Sequence, residues 1–258
     1  MVHPERYNFG MRILLVLLFF ATVTPAQTLT WMGHTWKLSR GHIAGVIEAK
    51  PENVSLDTGA LHMKIVKRGD AYTGAELFTT DDLGFGTYQW QIEGPQVYEM
   101  DPTIVLGLFS YGPVHKIGSD AEEEIDIEFS QWNHNQPKPI NADFTVYPPT
   151  GLKRPNGVSA WEDNFDITDR PKATTARFVW TADKIDFYLM EGLVAISSAP
   201  EHVLKHDTLV SDGTNVPHVP LPIGINLWSF KEPPQHEWDI TIRSFEYQPA
   251  KPGEIRTN

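Results

Sequence analysis

The chain has 258 residues, enough for one large domain whose core needs no staples, and it contains no cysteine. Disulfides, thiolate catalysis and cysteine-ligated zinc are therefore excluded. A formal net charge of -12 sets the surface against phosphate backbones, which argues against nucleic acid as a partner and leaves a neutral polymer open.

In chain order, the first feature is Arg12 followed by the apolar run ILLVLLFFATV and then Thr24-Pro25-Ala26. A positive flank, a short apolar core and small residues near a cut site describe a secretory signal peptide over residues 1–26, cleaved near Ala26. The run is short for a bilayer span, and an uncleaved N-terminal anchor is the alternative. Met11 competes with Met1 as the start. This reading makes the mature protein secreted or periplasmic, with no membrane attachment after cleavage.

Beyond the signal no long amphipathic helix is apparent, and apolar residues alternate instead. LHMKIVK (61–67) puts Leu61, Met63 and Ile65 on one face, and GTYQWQIEG (86–94) alternates Tyr88, Trp90 and Ile92 with polar residues. TIVLGLFSY (103–111) is nearly continuous, as in a strand covered on both sides. EEIDIEF alternates again. ARFVW (176–180) and KIDFYLM (184–190) are joined by a hairpin-like Thr-Ala-Asp, and Glu191-Gly192 then turns into LVAIS. GINLWSF (224–230) and WDITIRSFEY (238–247) complete the set. Many short strands with Pro and Gly between them predict an all-β sandwich, one domain over residues 28–250. A monomer is expected.

The segment AEEEIDIEFSQW (121–132) carries the chemistry. Strand alternation sends Glu124, Asp126 and Glu128 to one face and Ile125, Ile127 and Phe129 into the core. A solvent-facing edge strand would be the bland explanation, but edges usually mix Lys with the acids, and like charges in one row repel. Calcium accepts carboxylates, although its ligands come mostly from curved loops. At roughly 3.3 Å per residue, Glu124 and Glu128 have Cα atoms about 13 Å apart. Side chains leaning together bring the carboxylates to about 5–6 Å, the spacing of a retaining glycosidase, whereas an inverting pair needs about 6.5–9.5 Å. Asp126 between them raises the proton affinity of its neighbours and can hold a rotamer. No Gly-rich phosphate loop, serine nucleophile elbow or close metal-ligand spacing of His accompanies it.

Glu124-Ile125-Asp126-Ile127-Glu128-Phe129 resembles the signature of glycoside hydrolase family 16, in the form without an inserted bulge residue. VSLDTGALHMKI, TGAELFTTDDLGFGTYQWQIE, LFSYGP, ARFVWTADKIDFYLMEG and INLW are similar to family segments in the same order, so the resemblance spans most of residues 31–247. It implies a concave, concanavalin-like β-jelly roll and a retaining mechanism, with Glu124 as nucleophile, Asp126 as its helper and Glu128 as acid/base. No cofactor is implied; a structural calcium on the convex face occurs in relatives, with no ligands marked here. Two positions depart from the lichenase pattern: Glu122 stands where a tryptophan often precedes the nucleophile, and Phe78 where an arginine commonly follows the early-strand Glu76.

Sugar rings are held by aromatic faces and polar groups. Trp132 lies four residues after Glu128, so a continuing strand puts it, with Ser130, on the acidic face. Asn226 and Trp228 share one face of GINLWSF, and Phe109 and Tyr111 share another; Glu76 is a further contact candidate. Core packing is the competing role for each aromatic. The expected protein is a secreted endo-acting retaining β-glycan hydrolase acting on a polysaccharide. A non-catalytic lectin on the same sandwich, or a transglycosylase, is the alternative. Mixed-linkage glucan, laminarin, xyloglucan and agar-type galactans stay open as substrates.

Overall fold

A computed structural model describes residues 27–251. The predicted signal peptide and nearly all of the tail after residue 250 lie outside the described residues.

The strands, in chain order, are β1 (Thr28–Trp31), β2 (His34–Leu38), β3 (Gly41–His42), β4 (Glu48–Ala49), β5 (Val54–Asp57), β6 (Ala60–Arg68), β7 (Ala71–Thr79), β8 (Gly86–Glu93) and β9 (Ile104–Tyr111). They continue with β10 (Glu124–Ser130), β11 (Ala142–Tyr147), β12 (Trp161–Phe165), β13 (Ala173–Trp180), β14 (Lys184–Glu191), β15 (Val203–Val210), β16 (Ile223–Ser229) and β17 (Trp238–Pro249). Each alternating run predicted from the sequence is one of these strands, and Thr181–Asp183 is the hairpin link between β13 and β14. LVAIS is the exception. It forms no strand; the Val194 carbonyl instead accepts from the side-chain amides of Gln89 and Gln91, and the Ala195 carbonyl from Arg177. The glycine turn at Gly192 sends the segment across the sheet, where these side chains satisfy its backbone.

Two antiparallel layers result. The front sheet runs β1-β2-β7-β16-β9-β10-β11-β12. The back sheet runs β5-β6-β17-β8-β13-β14-β15. The β6–β7 hairpin joins them, with Val66 opposite Thr73. The core lies between: Leu106, Leu108, Ile125, Ile127 and Phe129 from the front meet Trp90, Phe178 and Phe187 from the back, all without solvent exposure. Each such side chain contributes roughly 1.5–3 kcal/mol by leaving water. Two of the buried indoles donate to main-chain oxygens, Trp36 to the Trp31 carbonyl and Trp180 to the Pro217 carbonyl, whereas the Trp90 indole nitrogen is buried with no partner. The front sheet's other face, the concave one, carries the acids. β9 sits in mid-sheet and is buried on both faces over most of its length, as its continuous apolar run predicts.

Candidate active site

The register across the front sheet lines up the candidate residues in three rows. Tyr111, Glu124 and Tyr147 form one. Phe78, Gly224, Phe109, Asp126, Thr145 and Glu162 form the second. Glu76, Asn226, Gly107, Glu128, Asp143 and Asn164 form the third. Glu124, Asp126 and Glu128 therefore face one way, opposite to the core residues Ile125, Ile127 and Phe129. Asp126 is the most enclosed of the three, while Glu124 and Glu128 are half-buried.

Two glycines shape this floor. A Cβ on Gly224 would come within 2.5 Å of Phe109 and 2.7 Å of Phe78, so the two rings lie over that strand only because it is bare. A Cβ on Gly107 would come within 2.5 Å of Asn226 Oδ1. In its absence the Gly107 N–H donates to that oxygen at 3.1 Å and fixes the carboxamide between Glu76 and Glu128. Beside Glu124 the face opens into a cavity of about 430 Å³ lined by Glu76, Phe78, Phe109, Tyr111, Asp120 and Asn226, with Ile43, Ala44 and Val114 above. Every charged group on its wall is an acid. Phe78, in the position where the lichenase pattern has arginine, stacks on Tyr111 with centroids 6.3 Å apart.

Trp228 lies one row beyond Glu128, opposite Val105, and does not line the cavity. It packs edge-on to Trp132 at 6.2 Å and to Phe230 at 6.3 Å. Trp132 arrives there by a route the sequence did not predict. β10 ends at Ser130, and Trp132 adopts a left-handed φ of 49°. Its N–H donates to Ser130 Oγ, which turns the chain, so strand parity does not place its ring. The indole nonetheless reaches the acidic face, donating from Nε1 to Asp143 Oδ2 at 2.8 Å.

Burial pushes the carboxyls of this face up. Glu124 is raised to about 8 by burial and by the charge of Asp120, against a hydrogen bond from Asp126. Asp126 lies well above the usual carboxylate range through burial and the charges of Glu124, Glu128 and Asp143. Glu128 is raised by burial, Asp143, Glu124 and Glu162. Burial also lifts Glu76. Such a row cannot ionise as a whole, so some members are acids and some bases at neutral pH.

The loop before β10 is held by its own acids. Glu123 has a left-handed φ of 55° directly before Glu124. That strained conformation is over-determined: its N–H donates to Pro148 O, its carbonyl accepts from Gly112, and its carboxylate accepts from Thr150 N and Oγ1. The Glu122 carboxylate accepts from Ser119 N and Oγ at 2.7 and 2.8 Å, from Gly151 N at 2.8 Å and from Lys153 N at 3.0 Å. Where the lichenase pattern has a ring, this chain has a clamp between two loops. Asp120 rides on the clamped loop and accepts from Tyr111 Oη at 2.9 Å. Burial pushes the Glu122 carboxyl up, but the four donors outweigh it and leave it below its ordinary 4.5. A carboxyl depressed on folding stabilises above its unfolded pKa and loses that contribution as pH falls through the folded value. Glu122→Ala, which strands three backbone donors, is expected to cost about 2–3 kcal/mol at pH 7. In urea titrations the gap to the parent should narrow once the pH falls below that of the depressed carboxyl.

No protein-family model matches the sequence, and no curated protein matches it. Solved structures do match the fold. A prokaryotic β-1,3-1,4-glucanase (lichenase) derived from a mouse hindgut metagenome is 22% identical with a TM-score of 0.59, covering 83% of this chain and 93% of its own. The β-glucanase of Bacillus licheniformis is 18% identical with a TM-score of 0.61, covering 88% and 100%. The glycoside hydrolase family 16 endo-glucanase from Bacteroides ovatus in complex with G4G3G-2F-DNP is 10% identical with a TM-score of 0.58, covering 83% and 94%. The chain has the jelly-roll fold of these glucanases. At such identities the likeness carries the fold, and the roles of side chains must be argued from the site itself.

Asp120, Asp143, Tyr147 and Glu162 belong to the acidic face and were not among the sequence candidates. ADFTVY over β11 alternates as clearly as EIDIEF, with Ala142, Phe144 and Val146 in the core, so Asp143 and Tyr147 had a readable signal. Asp120 comes from a loop and had none.

Proposed function

We propose that the protein is an endo-acting retaining β-glycan hydrolase, with Glu124 as nucleophile, Asp126 as its helper and Glu128 as acid/base. The observation that carries this is three carboxyls on one strand face, flanked by a cavity at the Glu124 end and an aromatic cluster beyond Glu128. Sugar rings then have a place on both sides of the acids, as cleavage within a chain requires. Glu124 attacks the anomeric carbon while Glu128 protonates the leaving oxygen; Glu128 next takes a proton from water, which releases the sugar from Glu124. A sugar hydroxyl in place of that water gives transglycosylation. Asp126 donates a hydrogen bond that holds Glu124 in position. Glu76, Asn226, Phe109 and Tyr111 bind on the cavity side, and Trp228 and Trp132 on the other. We take the protein to be exported and to meet its polysaccharide outside the cytoplasm.

Incubation with mixed-linkage glucan, laminarin, xyloglucan and agarose, scored for new reducing ends, tests the reading. Cleavage of at least one supports it; binding with no cleavage of any points to a lectin. On the substrate that is cleaved, Gly107→Ala displaces the Asn226 carboxamide and is expected to raise KM about tenfold, a loss of about 1.4 kcal/mol, with a smaller change in kcat.

A further inference from the structure

Asp143 has no part in the mechanism above, yet it stands directly opposite Glu128 in the β10–β11 register and is 2% exposed. Residues so paired have Cβ atoms about 4.5–5.5 Å apart. Two donors converge on it: Trp132 Nε1 on Oδ2 at 2.8 Å and Thr145 Oγ1 on Oδ1 at 3.1 Å. Both favour its ionised form. The acids thus fall into two pairs. In one, Glu124 and Asp126 share a strand face, and burial raises both. In the other, the anchored partner is Asp143.

We propose that Asp143, tethered by the Trp132 indole, is a positioning residue that keeps the proton of its pair on Glu128, so that Glu128 begins each cycle as an acid. The catalytic consequence rests on the reading of Glu128 as proton donor; the proton placement itself does not. The groups around Glu128 agree with it. Glu124 and Asp126 lie on its own strand, Asp143 and Tyr147 on β11, Glu162 on β12, Tyr111 on β9, Glu76 on β7 and Asp120 on the preceding loop. None is a cation. Lys205, on β15, is engaged by Asp163 of β12 and by Asp207. Asp143 is itself lifted to about 7 by burial, while its two donors pull it back toward ionisation; Glu128 is raised well above its ordinary value.

The test is a pH titration of the full protein labelled with ¹³C at Glu carboxyls, which leaves Asp silent. The resonance lost in Glu128→Gln identifies Glu128. In Asp143→Asn its midpoint should fall by about one pH unit or more, because the facing charge is gone. In Trp132→Phe it should fall less, because Asp143 then competes for the proton. Midpoints unmoved in both folded variants would overturn the proposal. The alkaline limb of kcat/KM should follow the midpoint down. If the midpoint falls but the parent cleaves no glycan, the proton placement stands and the hydrolase reading is what fails.

Discussion

Glu124→Ala is expected to lower glycan cleavage by about 10⁴-fold or more, equivalent to at least about 5.4 kcal/mol of barrier. Without the carboxylate no bond forms at the anomeric carbon, and nothing else on the face replaces it. Asp126 is nearest, but it stands one row along the strand, opposite Phe109, and burial with the neighbouring charges raises its proton affinity, which makes it a poor nucleophile. Azide, small enough for the vacated space, should restore turnover by attacking from the same side and yield a glycosyl azide of inverted configuration. The same variant should unfold at an equal or higher urea concentration than the parent, since it removes one of several mutually repelling carboxyls from a buried row. Loss of activity together with loss of fold would instead mark Glu124 as structural.

Glu128→Gln should cost about 10²–10⁴-fold on natural glycans, whose leaving oxygen needs a proton, and far less in the first step on aryl glycosides with acidic leaving groups. The pH profile separates the two roles. In the parent, kcat/KM rises as Glu124 ionises and falls as Glu128 loses its proton. Burial and the charge of Asp120 hold Glu124 up, which moves the acid limb above the usual carboxylate range. Glu128→Gln should abolish the alkaline limb and keep the acid one. A variant that retains both limbs would assign the acid to another residue.

What the sequence disclosed and what it withheld follow from the period of a strand. EIDIEF, GINLWSF and TIVLGLFSY show both faces at once, so the partition of Glu124, Asp126 and Glu128 from Ile125, Ile127 and Phe129, and of Asn226 and Trp228 from Ile225 and Leu227, was readable directly. Long-range pairing was not. That Glu76, Asn226, Gly107, Glu128 and Asp143 share one row depends on five strands drawn from across the chain. Trp132 shows where parity stops: Ser130 breaks the strand, yet the ring returns to the acidic face through a side-chain hydrogen bond. Glu122 shows a substitution whose effect needed coordinates, since an acid in place of a ring becomes useful only when Ser119, Gly151 and Lys153 present donors to it. LVAIS was apolar enough for a strand, but Gly192 aimed it across the sheet, where Gln89, Gln91 and Arg177 took up its carbonyls.

The most direct measurement is mass spectrometry of the protein after reaction with a 2-deoxy-2-fluoro glycoside of the glycan it cleaves, carrying a good leaving group. The fluorine slows hydrolysis of any glycosyl-enzyme, so the sugar should remain on a single peptide, attached to Glu124, and be absent from Glu124→Ala. A sugar on any other residue, or steady turnover with no covalent adduct and a first product of inverted anomeric configuration, would contradict the account.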